Sequence, residues 1–122
     1  MLVGFTCLIV DDDQRFLAAA GNLLRREGVN VLAVASTGDE AVNLATDLRP
    51  DVALVDIDLG GESGFDVAKR LADLPGGPQP VVLISAYSEQ DFAELVSSST
   101  ALGFVSKPRL SAGAVERFFR PV

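Results

Sequence analysis

Short runs of apolar, β-favouring residues recur along the chain at Phe5–Val10, Val29–Ala35, Val52–Val55, Val81–Ile84 and Gly103–Val105, each bounded by acidic, Gly, Ser or Pro residues. Between them the apolar positions fall at helical spacing over Arg15–Glu27, Gly38–Leu48, Gly64–Leu74 and Glu89–Ser98, with a last helical stretch from Ala112 to about Phe119. Ala53-Leu54-Val55 is apolar at consecutive positions, so both faces of that strand must be covered; a half-exposed antiparallel strand would alternate instead. Strict alternation of strand and helix then predicts a (βα)5 domain: a doubly wound, five-stranded parallel sheet with helices on both sides. Helix starts carry cap candidates, Asp13 for the first, Ser36 or Thr37 for the second and Ser63 for the third. The segment from Pro75 to Pro80 is rich in Pro and Gly but only joins a helix to a strand, and it is too short to separate domains.

A length of 122 residues fits one domain of common size, and the whole chain, 1–122, is expected to form it with no output domain attached. Ten Lys and Arg against seventeen Asp and Glu give a net charge of −7 with no basic run, which argues against direct contact with nucleic acid. The absence of His excludes imidazole-based acid–base catalysis and His-rich metal sites. Cys7 has no second cysteine to pair with and lies in an apolar run, so it is expected to be a buried small hydrophobe in a reducing, cytoplasmic compartment. No apolar run approaches membrane-spanning length.

Ligands of open parallel α/β sheets bind beyond the carboxyl ends of the strands, so the polar residues that close each strand are the candidates for chemistry. The first strand ends in Asp11-Asp12-Asp13, the third in Asp56-Ile57-Asp58, the fourth in Ser85-Ala86 and the fifth in Ser106-Lys107-Pro108. If strands one and three are neighbours, Asp11, Asp12 and Asp56 converge, and carboxylates ~5 Å apart would repel by roughly 3 kcal/mol per pair at an effective dielectric near 20. That repulsion calls for a cation. An oxygen-only set of this kind suits Mg²⁺, or Mn²⁺, in octahedral geometry with waters and a phosphoryl oxygen. One helix cap cannot explain three acids; for Asp13 alone, capping is the leading role.

An acid pair after strand one, an aspartate closing strand three, a hydroxyl followed by Ala after strand four and Lys-Pro after strand five, taken together, resemble the CheY-like receiver domains of bacterial two-component response regulators over nearly the whole chain. The resemblance implies a flavodoxin-like strand order 2-1-3-4-5. It implies that Asp56 accepts phosphate from a sensor histidine kinase or a phosphotransfer protein. Asp12 would be a direct Mg²⁺ ligand, Asp11 would hold the ion largely through water, and the Asp58 backbone carbonyl would complete the protein ligands. Lys107 would pair with Asp56 and then with the phosphoryl group, Ser85 would donate to the new oxygens, and Ala86 would leave them room. Phe104 is expected to be the aromatic switch that alters the face made by the fourth helix, fifth strand and fifth helix, where a downstream target, an output domain or a second copy in a homodimer would dock. A cis bond at Pro108 would aim Lys107 inward.

Two departures from the family pattern carry their own expectations. The loop after Asp56 has Gly60 where Pro is common and Ser63 where Asp is common, and the pair Gly60-Gly61 is expected to loosen it. Asp58 and Tyr87 occupy positions that tune phosphate lifetime in the family, and the Tyr87 ring is expected to screen the acyl phosphate from water. Two rival functions remain open from sequence. Asp56-Ile57-Asp58 also resembles the nucleophile motif of haloacid-dehalogenase-like phosphohydrolases, though that motif usually closes the first strand of a larger domain, and here it closes the third. The second rival is a receiver-like module that docks partners without accepting phosphate.

Overall fold

The computed structural model describes residues 4–78, 80–87, 90, 93–97 and 103–118. Its strands are β1 (Thr6–Val10), β2 (Asn30–Ala35), β3 (Val52–Asp56), β4 (Val81–Ser85) and β5 (Gly103–Ser106), and its helices are α1 (Gln14–Arg26), α2 (Gly38–Leu48), α3 (Gly64–Ala72), α4 (Ala93–Ser97) and α5 (Ala112–Glu116). All strand pairs are parallel, in the order β2-β1-β3-β4-β5. This is the doubly wound, flavodoxin-like arrangement, with strand order reversing on either side of β1 and β3.

The alternation of side chains along β1, β3 and β4 divides the interior in two. Cys7, Ile9, Leu54, Val82 and Ile84 face one way and pack with Leu17 and Leu24 of α1 and Val115 of α5. Leu8, Val10, Ala53, Val55 and Leu83 face the other way, against Ala41 and Ala45 of α2 and Val67 and Leu71 of α3. Every residue of β3 and β4 is buried, as runs apolar on both faces require. Cys7 is fully buried, and burial pushes its thiol up to about 12, so it packs as a hydrophobe.

The register of the central pair is pinned at its start by reciprocal bonds: the Thr6 N–H donates to Asp51 Oδ2 (2.9 Å) and the Asp51 N–H to Thr6 Oγ1 (2.8 Å). On the edge, β2 carries one residue more than β1. Val31 pairs with Cys7 and Ala33 with Leu8, leaving Leu32 between them, while Arg25 Nη2 donates to the Val31 carbonyl (3.4 Å).

Caps set the helix starts. Asp13 accepts from the N–H groups of Arg15 and Phe16, Ser63 from Phe65 and Ser111 from Ala114. Of the two candidates before α2, Thr37 is the cap: its hydroxyl accepts from the Glu40 N–H (3.1 Å), while Glu40 Oε1 reaches back to the Ser36 N–H (2.7 Å). α3 stops at Ala72, two residues short of the predicted end at Leu74; Leu74 and Gly77 instead close successive tight turns onto Leu71 and Leu74. For the predicted helix Glu89–Ser98, residues 89, 91, 92 and 98 lie outside the described residues; the last helix ends at Glu116, short of its predicted end, with Arg117 and Phe118 in a turn and Phe119 outside the described residues.

Candidate functional site

Parallel register puts the ends of β1, β3, β4 and β5 on one rim. Val10 pairs with Val55, Asp56 with Ile84 and Ser85 with Ser106, so the residues that follow or close these strands meet. Asp11, Asp12, Asp56, Asp58, Ser85, Ala86, Tyr87 and Lys107 all line a single cleft of about 510 Å³, with Asp13, Ile57, Gly60 and Phe65 completing its wall. Phe104 lies outside it, half-buried on β5 against the core face shared with α2 and α3. Pro108 sits in the short 3-10 turn Lys107–Arg109 and is exposed.

Asp11 is fully buried. Its N–H continues the ladder to the Ala35 carbonyl (3.0 Å), and its Oδ1 accepts from the Asp13 N–H (2.9 Å), the residue that caps α1. Asp56 is 7% exposed, with Oδ1 accepting from the Asp58 N–H (3.0 Å) and Oδ2 from Lys107 Nζ (2.9 Å). Gly64, the first residue of α3, lies so close to the end of β3 that a Cβ there would overlap the Asp56 carbonyl oxygen. Glycine is therefore required for α3 to hold the backbone of Asp56 in place.

The loop after Asp56 is not loose. The Asp58 side chain accepts from the Gly60 N–H (3.1 Å), the Leu59 N–H donates to the Glu62 carbonyl (3.1 Å), and Asp58 and Ser63 form an isolated antiparallel bridge. Gly60 adopts φ +76°, and a Cβ on it would stand 3.0 Å from Asp12 Oδ2. Its glycine thus serves a left-handed turn and the space of an acidic side chain, not slack.

Lys107 Nζ lies 2.7 Å from Asp11 Oδ2 and 2.9 Å from Asp56 Oδ2. The contact to Asp56 is a directed hydrogen bond, and that to Asp11 is a close ion pair to a fully buried carboxylate oxygen. Burial pushes the Asp11 carboxyl up, Lys107 and the Asp13 N–H pull it back, Asp56 raises it again, and the result is about 6. For Lys107, burial works against the charged form but the two carboxylates outweigh it, leaving the ammonium above its ordinary value. Sequence reasoning had assigned Lys107 to Asp56 alone. Side-chain parity would have found Asp11, because it shares the strand face of Ile9 as Asp56 shares that of Leu54, and Lys107 that of Val105.

Carboxylate oxygens of Asp11, Asp12 and Asp56 lie within 4.8 Å of one another. Among the described residues, three carboxylates against one ammonium leave two negative charges uncompensated, and each pair at that spacing repels by about 3.5 kcal/mol at an effective dielectric of 20. A hard, oxygen-seeking divalent cation fits this donor set of three clustered carboxylates and the deficit of charge.

Ser85 is buried, and its Oγ accepts from the Tyr87 N–H (3.0 Å), leaving the hydroxyl proton free to be given elsewhere. Tyr87 is 65% exposed and is one of the residues that line the cleft. Among the described residues no helix is long and apolar enough to cross a membrane.

Residues 7–116 match the family described as Response regulator receiver domain. The chain is similar to the transcriptional regulatory protein PdtaR of Mycobacterium tuberculosis, at 30% identity over 83% of this chain and 48% of that protein. It is also similar to the DNA-binding transcriptional activator EvgA of Escherichia coli, at 30% identity over 82% of this chain and 48% of that protein. The chain therefore spans about half the length of these relatives. Among solved structures, the signal receiver domain of a modulated diguanylate cyclase from Desulfovibrio desulfuricans superposes with a TM-score of 0.76 at 34% identity, covering 93% of this chain and 89% of that one.

Proposed function

This chain belongs to the response regulator receiver family, a family of signalling domains, and on that premise we propose that Asp56 accepts a phosphoryl group from a sensor histidine kinase or a phosphotransfer protein. The observation that carries the reading is that Asp56 lines the cleft with its carboxylate within 4.8 Å of those of Asp11 and Asp12 and 2.9 Å from Lys107 Nζ. The carboxylates of Asp11, Asp12 and Asp56 with the Asp58 carbonyl would hold Mg²⁺ or Mn²⁺, whose charge screens the nucleophile from the incoming anionic group.

An Asp56 carboxylate oxygen forms the new bond to phosphorus as the phosphorus–nitrogen bond of the phosphohistidine breaks, its electron pair leaving with the imidazole. Lys107, which now donates to Asp56, turns an N–H to a phosphoryl oxygen as that carboxylate gives up its charge. The Ser85 hydroxyl donates a hydrogen bond to another phosphoryl oxygen, and the small Ala86 beside it leaves the group room. Movement of Ser85 would reach Phe104 through the paired strands β4 and β5 and change the surface of α4, β5 and α5, where a target, an output domain or a second copy docks. The acidic balance of the chain keeps its own surface off nucleic acid, and a single buried thiol suits the cytoplasm.

Incubation with acetyl phosphate and Mg²⁺, followed by intact-mass measurement, is expected to add one phosphoryl group per chain, and none to the Asp56→Asn variant. Continued turnover of phosphomonoesters at a rate set by Asp58 would instead identify a phosphohydrolase. Absence of any label at saturating donor and metal would leave a module that docks without phosphate.

A further inference from the structure

Phe16 is the third residue of α1 and is half-buried against the core face that α1 and α5 cover. Its ring centroid lies 4.3 Å from Lys107 Nζ, and Phe16 is not among the residues that line the cleft. The ammonium therefore has three close neighbours: Asp11 at 2.7 Å, Asp56 at 2.9 Å and the face of this ring. One short run of sequence builds the arrangement, since Asp11 Oδ1 holds the Asp13 N–H and Asp13 Oδ1 in turn holds the N–H groups of Arg15 and Phe16. Acid, cap and ring are thus locked together.

We propose that Phe16 is a positioning residue for Lys107, its ring face retaining the ammonium by cation–π attraction while Asp56, the carboxylate that holds it, is consumed by phosphoryl transfer. The inference rests on the reading of Asp56 as the phosphoryl acceptor. As the Asp56 oxygen bonds to phosphorus, its charge passes to the phosphoryl oxygens, and Lys107 must follow without being captured by Asp11. A ring attracts the cation yet neither neutralises it nor takes up an N–H in a directed bond, so the donors stay available for the phosphoryl group. The pull of the ring matters more as the hold of Asp56 weakens, which places its effect on the transition state. An aliphatic side chain of similar bulk would fill the same space without that pull.

Phe16→Leu and Phe16→Tyr separate the ring from the bulk. In the native chain and the Tyr variant the Lys107 ε-methylene protons are expected upfield of an ordinary lysine, shifted by the ring current; in the Leu variant they return to the ordinary position. At saturating Mg²⁺, phosphorylation by acetyl phosphate is expected to slow roughly two- to fivefold in Phe16→Leu, the rate equivalent of an exposed cation–π contact, and to recover in Phe16→Tyr. The Mg²⁺ dependence of the melting temperature should be the same in all three. An unshifted Lys107 signal in the native chain, equal rates for native and Leu, or equal loss in Leu and Tyr would each overturn the proposal. A native chain that takes up no phosphate would overturn the parent reading and the kinetic half of this one, with the anchoring half still judged by the ring-current shift.

Discussion

Replacing Asp11 with asparagine removes one negative charge from a fully buried site while keeping the shape of the side chain. Oδ1 can still accept from the Asp13 N–H, and Lys107 retains Asp56. In the metal-free protein the Asp11 carboxyl titrates near 6 against an ordinary 3.8, so it binds its proton more tightly when folded than when unfolded. The stability this provides is fully present below pH ~4 and is lost as pH rises through about 6, a difference of about 3 kcal/mol once the group is ionised. Asparagine never ionises and so avoids the loss, less a part of the gain because its amide N–H groups face the Lys107 ammonium; about 2 kcal/mol should remain, or roughly 6–12 °C in melting temperature for a domain of this size. Thermal unfolding near pH 7.5, with a chelator and with saturating Mg²⁺, tests this. With chelator the Asn variant is expected to melt above the native chain, and with Mg²⁺ the order should narrow or reverse, because the native cluster binds the ion and the variant binds it poorly. Lowering the pH from about 7 to 5 with chelator should stabilise the native chain relative to the variant. An Asn variant that melts at or below the native protein without metal, or that gains as much from Mg²⁺, would refute the view that Asp11 is a strained acid held for a cation.

Lys107→Met removes the cation that bridges Asp11 and Asp56 and is expected to cost the metal-free protein about 3 kcal/mol in urea unfolding, with much of that recovered by Mg²⁺. Gly64→Ala drives a Cβ into the Asp56 carbonyl, so unfolding measurements should show a loss of at least about 3 kcal/mol, and the labelling rate of Asp56 should fall with it. Thr37→Ala should cost about 1 kcal/mol, whereas Ser36→Ala, whose hydroxyl accepts from the exposed Gln14 side chain, should cost a few tenths; equal losses would overturn the assignment of the cap.

The sheet and its helices were legible because β3 and β4 are buried on both faces and say so in unbroken apolar runs. The end of α3 was not, because Leu74 is half-buried and keeps the apolar rhythm although the chain has already left the helix for tight turns. Within the site, the polar residues that close the strands were readable from position alone, and all of them but Ser106 line the cleft, whereas the apolar candidates Phe104 and Pro108 do not. What sequence could not weigh was environment. Asp11 and Asp12 are chemically identical, yet one is buried beside Lys107 and the other exposed; Gly60-Gly61 looks slack until the bonds of Asp58 and Leu59 are seen. The contact of Phe16 with Lys107 was not legible either, since periodicity reports that a residue is apolar and not that its ring meets a cation.

The extra residue in β2 bears on how the molecule behaves in company. An outer strand reading Asn-Val-Leu-Ala-Val-Ala carries no charge of its own to discourage a neighbour from adding to it. Leu32 breaks the regular comb of amides along that border, and the Arg25 guanidinium sits over one of its carbonyls, so a crowd of identical molecules finds no straight template on which to stack.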